Sequence, residues 1–310
     1  MKKLNVLPFQ NVKNWYLRMF LIITEFFLLL YIISCVALYF LQDNLIFIPK
    51  SDTFETPAEY GIEYDNIYFS SGTDKLHAYY AKGRFIEDAE TEFNANDYTI
   101  LYCHGNAGNI SHRSKTMKTY HDYGFNIFVF DYSGYGQSSG RPSAENVQQN
   151  ALDAWDYLIN EMRIPANKII VLGRSMGGFA ALSIAEKHQP FALSLESTFS
   201  SILNIAQHQM PIFPARLILK NNFDNLSKIS KVKSPLFMVH SKEDNVVKYY
   251  HSQKLLKAAK NNNDIPRLKF TPFIGTHNHC YTEVTNEYHQ KFFNFMEKIC
   301  LINENIIENE

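Results

Sequence analysis

The sequence predicts an α/β fold, a mostly parallel sheet with helices on both faces, carried behind an N-terminal transmembrane helix. Three observations predict it. An apolar run near the N-terminus is long enough to cross a bilayer. Behind it, β-branched and aromatic runs alternate with segments of helical period. Short polar clusters rich in glycine follow the strand-like runs, where open parallel sheets hold their ligands.

The chain has 310 residues, of which 46% are hydrophobic and 20% charged, enough to bury a core and incompatible with wholesale disorder. Lys and Arg number 30 against 31 Asp and Glu, a net charge of −1. No basic field exists to attract phosphate, so no nucleic-acid partner is expected. Cys35, Cys103, Cys280 and Cys300 form no CxxC pair, which excludes a zinc ribbon or a thioredoxin-like site. Cys280 and Cys300 fall near opposite ends of one expected helix, roughly 30 Å apart, too far for a disulfide.

Met19 to Leu41 is apolar apart from Thr24, Glu25 and Ser34, and would span about 34 Å as a helix. Glu25 lies off-centre, where a charge costs less than the roughly 2.5–3.5 kcal/mol of the bilayer midplane. The other readings are a buried core helix or a cleaved signal peptide, but the leader of residues 1–18 is long and no A-x-A site follows. Ile32-Ile33-Ser34-Cys35 resembles a lipoprotein cleavage box, yet Val36-Ala37-Leu38 continues the run. Lys2, Lys3, Lys13 and Arg18 precede the run, and only Lys50 follows closely, beside Asp43, Asp52 and Glu55. The positive-inside rule therefore predicts residues 1–18 in the cytoplasm, 19–41 in the membrane, and the domain of 42–300 outside the cytoplasm, with a polar tail at 301–310.

Tyr64–Phe69 and Lys75–Ala81 read as a hairpin, and 85–97 as a polar surface loop. Strands are expected at 98–103, 126–131, 168–172, 191–195, 235–240 and 268–273. Helices are expected at 111–123, from Ser143 as N-cap, at 176–187, at 246–260 and at the C-terminus. The helix after Ser143 carries Val147, Ala151, Trp155, Leu158 and Met162 on one face, and the last carries Val284, Tyr288, Phe292, Phe295 and Ile299.

Gly173-Arg174-Ser175-Met176-Gly177 fits G-x-S-x-G between a strand and a helix. Such a turn lifts the serine hydroxyl off the sheet and sets it beside a helix N-terminus, which makes Ser175 the candidate nucleophile. Without context the pattern is a glycine-rich turn; a GxxxxGK[ST] phosphate loop is absent. A serine needs a base. Of the eleven histidines, His251 and His289 fall in helices and are expected at the surface, while His104 is expected to bond backbone near its loop. His277 and His279 follow the last strand. His277 is the favoured base because it stands next to the strand end, with His279 as the alternative. Read as a metal site, the two histidines lack an evident third ligand, so no metal or cofactor is expected. Asp244 follows the preceding strand and is the candidate orienting carboxylate, with Glu243 beside it and a helix N-cap role as the bland reading. The order Ser175, Asp244, His277 is nucleophile, acid, base. Position alone nominates the backbone N–H groups of Asn106 and Met176 as oxyanion donors.

These pieces resemble the α/β-hydrolase superfamily, and within it the Bem46-like group that includes α/β-hydrolase domain-containing protein 13. The resemblance rests on Leu45-Ile46-Phe47-Ile48-Pro49, His104-Gly105-Asn106-Ala107-Gly108 and Asp131-Tyr132-Ser133-Gly134-Tyr135-Gly136. It also rests on the Ser175 motif, Glu196-Ser197-Thr198-Phe199, the Asp244 loop and Gly275-Thr276-His277-Asn278. It covers about Gln42 to Lys298 and implies an N-terminal anchor, a minimal lid and hydrolysis by Ser175, Asp244 and His277. Lys248 and His279 depart from the group's usual proline and aspartate. The segment between Glu196 and Pro235, about 200–230, is the one insertion large enough for a lid; its Met210-Pro211-Ile212-Phe213-Pro214 and Leu217-Ile218-Leu219 read equally as pocket wall, membrane contact or core. The expected substrate is a small-molecule or lipid acyl ester or thioester. A serine peptidase and a non-catalytic binding protein are the alternatives.

Overall fold

The computed structural model describes residues 10–85, 93–277 and 285–307. Helix α1 (Gln10–Ile46) contains the apolar run. It does not stop at Leu41; Gln42 is already buried, and Phe47 is the first side chain to join the hydrophobic core. Asn14–Ile46 is long and apolar enough to cross a membrane, and its apolar window is not buried within the protein. Strand β1 (Ile48–Pro49) follows at once.

The hairpin strands are β2 (Asp65–Ser71) and β3 (Asp74–Ala81), turned tightly through Gly72, whose φ of 57° suits glycine. The expected surface loop at 85–97 is only partly so. Phe93 and Ala95 are buried in the core, because Phe93 packs against Tyr98 and Phe125; residues 86–92 lie outside the described residues. There follow β4 (Thr99–Cys103), β5 (Ala107–Gly108), α2 (Ser114–Asp122) and β6 (Asn126–Phe130). Ser143 caps α3 (Ala144–Asn160), accepting from the Asn146 N–H, and Val147, Ala151, Trp155 and Leu158 are buried on one face.

Next come β7 (Ile169–Arg174), α4 (Gly177–Lys187) and β8 (Ala192–Glu196). The lid segment holds α5 (Ile202–Gln209) and α6 (Ala215–Ile218), then α7 (Asn225–Ile229) returns to the core. The chain ends with β9 (Leu236–Ser241), α8 (Tyr250–Lys260), β10 (Leu268–Phe273) and α9 (Thr285–Ile307). Helix α8 starts four residues later than its periodicity suggests, because Val246 and Val247 form a turn on Asp244 instead. Helix α9 carries most of the expected tail, while Val284, Cys280 and His279 lie outside the described residues.

The eight-stranded sheet has the order β10-β9-β8-β7-β4-β6-β3-β2, parallel except at β3–β6 and β2–β3. Side chains alternate between two cores, as period 2 requires. Leu101, Val171, Leu193 and Met238 face one, with α3, α4 and α8. Ile100, Ile170, Phe237 and Val239 face the other, with α2 and α9. This two-sided burial explains why the central strands read as unbroken apolar runs. It also puts the ends of β10, β9, β8, β7 and β4 side by side.

Candidate active site

Strand β7 ends at Arg174 and α4 begins at Gly177, so Ser175 occupies the turn between them. Its φ is 54°, left-handed for a non-glycine residue and costly unless the surroundings enforce it. They do so at both ends. The Ser175 N–H donates to the Glu196 carbonyl at 2.8 Å, and its carbonyl accepts from the Thr198 hydroxyl at 2.7 Å. The flanking glycines are steric necessities. A Cβ on Gly177 would sit on the Cys103 carbonyl oxygen, and one on Gly178 would meet Thr198.

His277 stands after β10, with its Nε2 3.2 Å from Ser175 Oγ and its Nδ1 2.7 Å from Asp244 Oδ2. Ser175, His277 and Asp244 are 9%, 7% and 3% exposed, so water competes weakly for these bonds. A carboxylate only accepts, which puts the His277 proton on Nδ1 and leaves Nε2 to accept from the serine hydroxyl. The other Asp244 oxygen accepts from the N–H groups of Val246 and Val247 at 2.9 and 2.7 Å. Asp244 is not the N-cap of α8, a place held by Tyr249; one of its oxygens closes the turn at Val246 and Val247 and the other meets His277. Burial pushes this carboxyl up, but His277 and the Val247 and Val246 N–H groups outweigh it and hold it below the ordinary carboxylate range. Glu243 is exposed and its side chain is not part of this set.

The loops are tied from behind. An Arg174 guanidinium N–H donates to the His277 carbonyl at 3.0 Å, the Asn245 side chain accepts from the His277 N–H at 3.2 Å, and the Ser241 hydroxyl donates to the Gly275 carbonyl. Beneath the turn, buried Glu196 accepts from the hydroxyls of Tyr120 and Tyr288. Burial pushes its carboxyl up, against the pull of Tyr288, Arg174 and Tyr120. These supports were not foreseen. Their signals are two charged residues, Arg174 and Glu196, at the ends of otherwise uncharged strands.

Among the described residues, the Asn106 and Met176 N–H groups have no acceptor within the protein, and both residues line a cavity that reaches Ser175. The Asn106 loop is anchored by its Nδ2–H bond to the Ile46 carbonyl and by pairing of β1 with β5. The cavity measures about 280 Å³ and is apolar apart from Ser175, Asn106, Gln42 and Gln209.

Two histidines expected at the surface are buried. His251 lies beneath the lid, where its Nδ1 accepts from the Ser200 hydroxyl at 2.8 Å. His289 packs among Tyr120, Tyr123 and Tyr288. His104 does bond backbone in its own loop, through the Gly105 carbonyl at 2.7 Å. No cluster of three or more His, Cys, Asp or Glu suited to a metal occurs among the described residues.

A mostly parallel sheet of this order, bearing a strained serine between strand and helix, defines an α/β-hydrolase fold. The family model described as the prolyl oligopeptidase family matches residues 111–301, more than half of the chain, and the chain belongs to that family of hydrolases. An uncharacterized protein of Mycobacterium tuberculosis H37Rv is 31% identical over 160 residues, 52% of this chain and 57% of that protein, so the chain spans less than two thirds of this relative's length. The α/β-hydrolase domain-containing protein WAV2 of Arabidopsis thaliana is 29% identical over 282 residues, covering 83% of this chain and 88% of WAV2. The solved esterase Pf2001 of Pyrococcus furiosus superposes with a TM-score of 0.64 at 18% identity, over 81% of this chain and 98% of that one, a likeness of fold.

Proposed function

We propose that the protein is a membrane-anchored serine hydrolase of carboxylic esters or thioesters, within the Bem46-like group, and that Ser175, His277 and Asp244 are its catalytic triad. One observation carries the reading: Ser175 Oγ, 3.2 Å from His277 Nε2, faces an apolar cavity of about 280 Å³. In this mechanism Ser175 Oγ attacks the acyl carbon while His277 takes its proton. Asp244 orients the imidazole and stabilises the imidazolium that forms. The N–H groups of Asn106 and Met176 receive the developing oxyanion, a donor type worth about 2.7–4 kcal/mol each. The tetrahedral intermediate expels the alcohol or thiol, which takes the proton from His277. Water, deprotonated by His277, then attacks the acyl-serine and releases the acid.

An acyl chain entering the cavity would contribute about 0.8 kcal/mol per buried CH₂ until the space is filled. The family match favours a second reading, a peptidase acting on aminoacyl amides. A p-nitrophenyl ester series from acetate to palmitate, run beside aminoacyl-p-nitroanilides, separates the two. Esters should be the better substrates, with kcat/KM rising over short chains and then levelling or falling. Ser175 should label with a fluorophosphonate, and Ser175→Ala should lose both labelling and turnover, the latter by roughly 10⁶ in kcat if the triad is well developed. Faster turnover of the anilides would establish the peptidase, and no labelling with no turnover a binding protein.

A further inference from the structure

The cavity beside Ser175 is not walled by the domain alone. Leu38, Gln42, Leu45 and Ile46 of α1 form one side, and Ile205, Met210, Phe213 and Ile218 of the lid form another. The two walls are fastened together. Gln42 donates to the Ile218 carbonyl at 2.9 Å and accepts from the Lys220 N–H at 2.7 Å. Asn221 donates to Asp43 at 2.5 Å, and the Lys220 ammonium sits 4.2 Å over the Tyr39 ring. Further down the helix, the Tyr31 hydroxyl donates to the Ile212 carbonyl at 2.9 Å and its ring stacks on Phe213, centroids 5.8 Å apart.

Tyr31 lies about halfway along the apolar run of 19–41, some 15 Å short of its outer end at 1.5 Å per residue. The lid tip therefore runs beside apolar helix that a bilayer would cover. The tip is apolar itself, with Ile212 and Leu217 72% and 82% exposed. Leu45 and Val246, which line the cavity, are exposed as well.

We propose that the outer half of the anchor helix and the lid together form an acyl channel open to the lipid leaflet, and that the substrate is a long-chain ester drawn laterally from the bilayer into reach of Ser175. The proposal rests on the serine-hydrolase reading and adds the source and class of its substrate. A soluble long-chain acyl ester offers the same chain to the same cavity, and the test distinguishes the two sources.

The full-length chain is reconstituted into phosphatidylcholine vesicles, with p-nitrophenyl palmitate in the same vesicles or in separate ones. Lateral entry gives at least about tenfold faster initial hydrolysis in the same vesicles. Equal rates overturn it in favour of a soluble source. This arm uses the unaltered protein, so misfolding of a variant cannot obscure it. In a second arm, Leu38→Trp and Ile205→Trp narrow the channel from its two walls. Each should lower the ratio of kcat/KM for dodecanoate to that for acetate by about tenfold or more. Val36→Trp, two residues back and about 200° around the helix, should leave the ratio unchanged. An unmoved ratio in both channel variants overturns the proposal while the hydrolase reading stands. A wild-type protein that neither labels with fluorophosphonate nor cleaves any ester removes the hydrolase reading and the proposal with it.

Discussion

His277 meets Asp244 with one ring nitrogen and Ser175 with the other, so the tautomer that suits the serine is set by the carboxylate. Asp244→Asn leaves a side chain of the same shape that can donate, and it favours the wrong tautomer. We expect kcat to fall by about 10⁴ while the fold persists, measured as ester turnover beside circular dichroism. A second residue-level expectation concerns His251. Burial, aided by Lys254, His240 and His208, lowers its pKa to about 4. An unfolded histidine titrates near 6.5. Between those values the unfolded chain binds a proton that the folded chain refuses, so stability is complete above about pH 6.5 and falls as the pH drops toward 4. At pH 5 the loss from this residue is about 2 kcal/mol. In His251→Asn, whose amide oxygen replaces Nδ1 as acceptor, the urea midpoint should shift less between pH 7 and pH 5 than in wild type. An equal shift in both proteins would refute the assignment. The three triad candidates were legible because each follows a strand that its apolar run identifies. The burial of His251 was not, since its pocket is made by Ser200, 51 residues away.

Helix α4 approaches the end of β4 and Thr198, just past β8, more closely than side chains permit, and its glycines at 177 and 178 make that possible. Gly177→Ala forces the helix off Cys103 and carries the Met176 N–H with it. Overpacking of this kind costs typically about 1–3 kcal/mol. We expect a lowered Tm and a loss of kcat exceeding the loss of fluorophosphonate-accessible folded protein; unchanged kcat at lowered Tm would count against the Met176 N–H as a donor. The contribution of α1 to the cavity escaped the sequence for a physical reason. In a run where nearly every position is apolar, no face can be distinguished by periodicity. The two-residue β1 is shorter than any pattern can register, yet it pins the Asn106 loop through Ala107 and Gly108.

At the level of the whole molecule, the apolar helix, the lid and the sheet's carboxyl edge lie at one end. The chain should sediment with membranes and remain there in high salt, because apolar insertion is not screened as surface charge is. With the orientation that the positive-inside rule predicts, residues 1–18 in the cytoplasm, protease added to cells with a permeabilised outer envelope should digest the domain. Extraction by 1 M salt would argue against an inserted anchor, and a protected domain against the orientation. The fold class was legible from alternating elements because both faces of the sheet are covered. The pairing of α1 with the lid was not legible, since Tyr31 and Ile212 are 181 residues apart.

The left-handed backbone at Ser175 carries a consequence for how such a site persists. Holding a non-glycine residue there costs on the order of 1–3 kcal/mol. Glycine would occupy the same turn without that penalty, at a smaller cost in unfolded-chain entropy. Ser175→Gly should therefore be inactive and melt a few degrees above Ser175→Ala, which keeps the Cβ and the strain. Selection for thermal robustness alone would erode this position toward glycine. On the nucleophile reading, the difference in Tm between these two variants measures how much stability the chain forgoes to keep a hydroxyl at this turn.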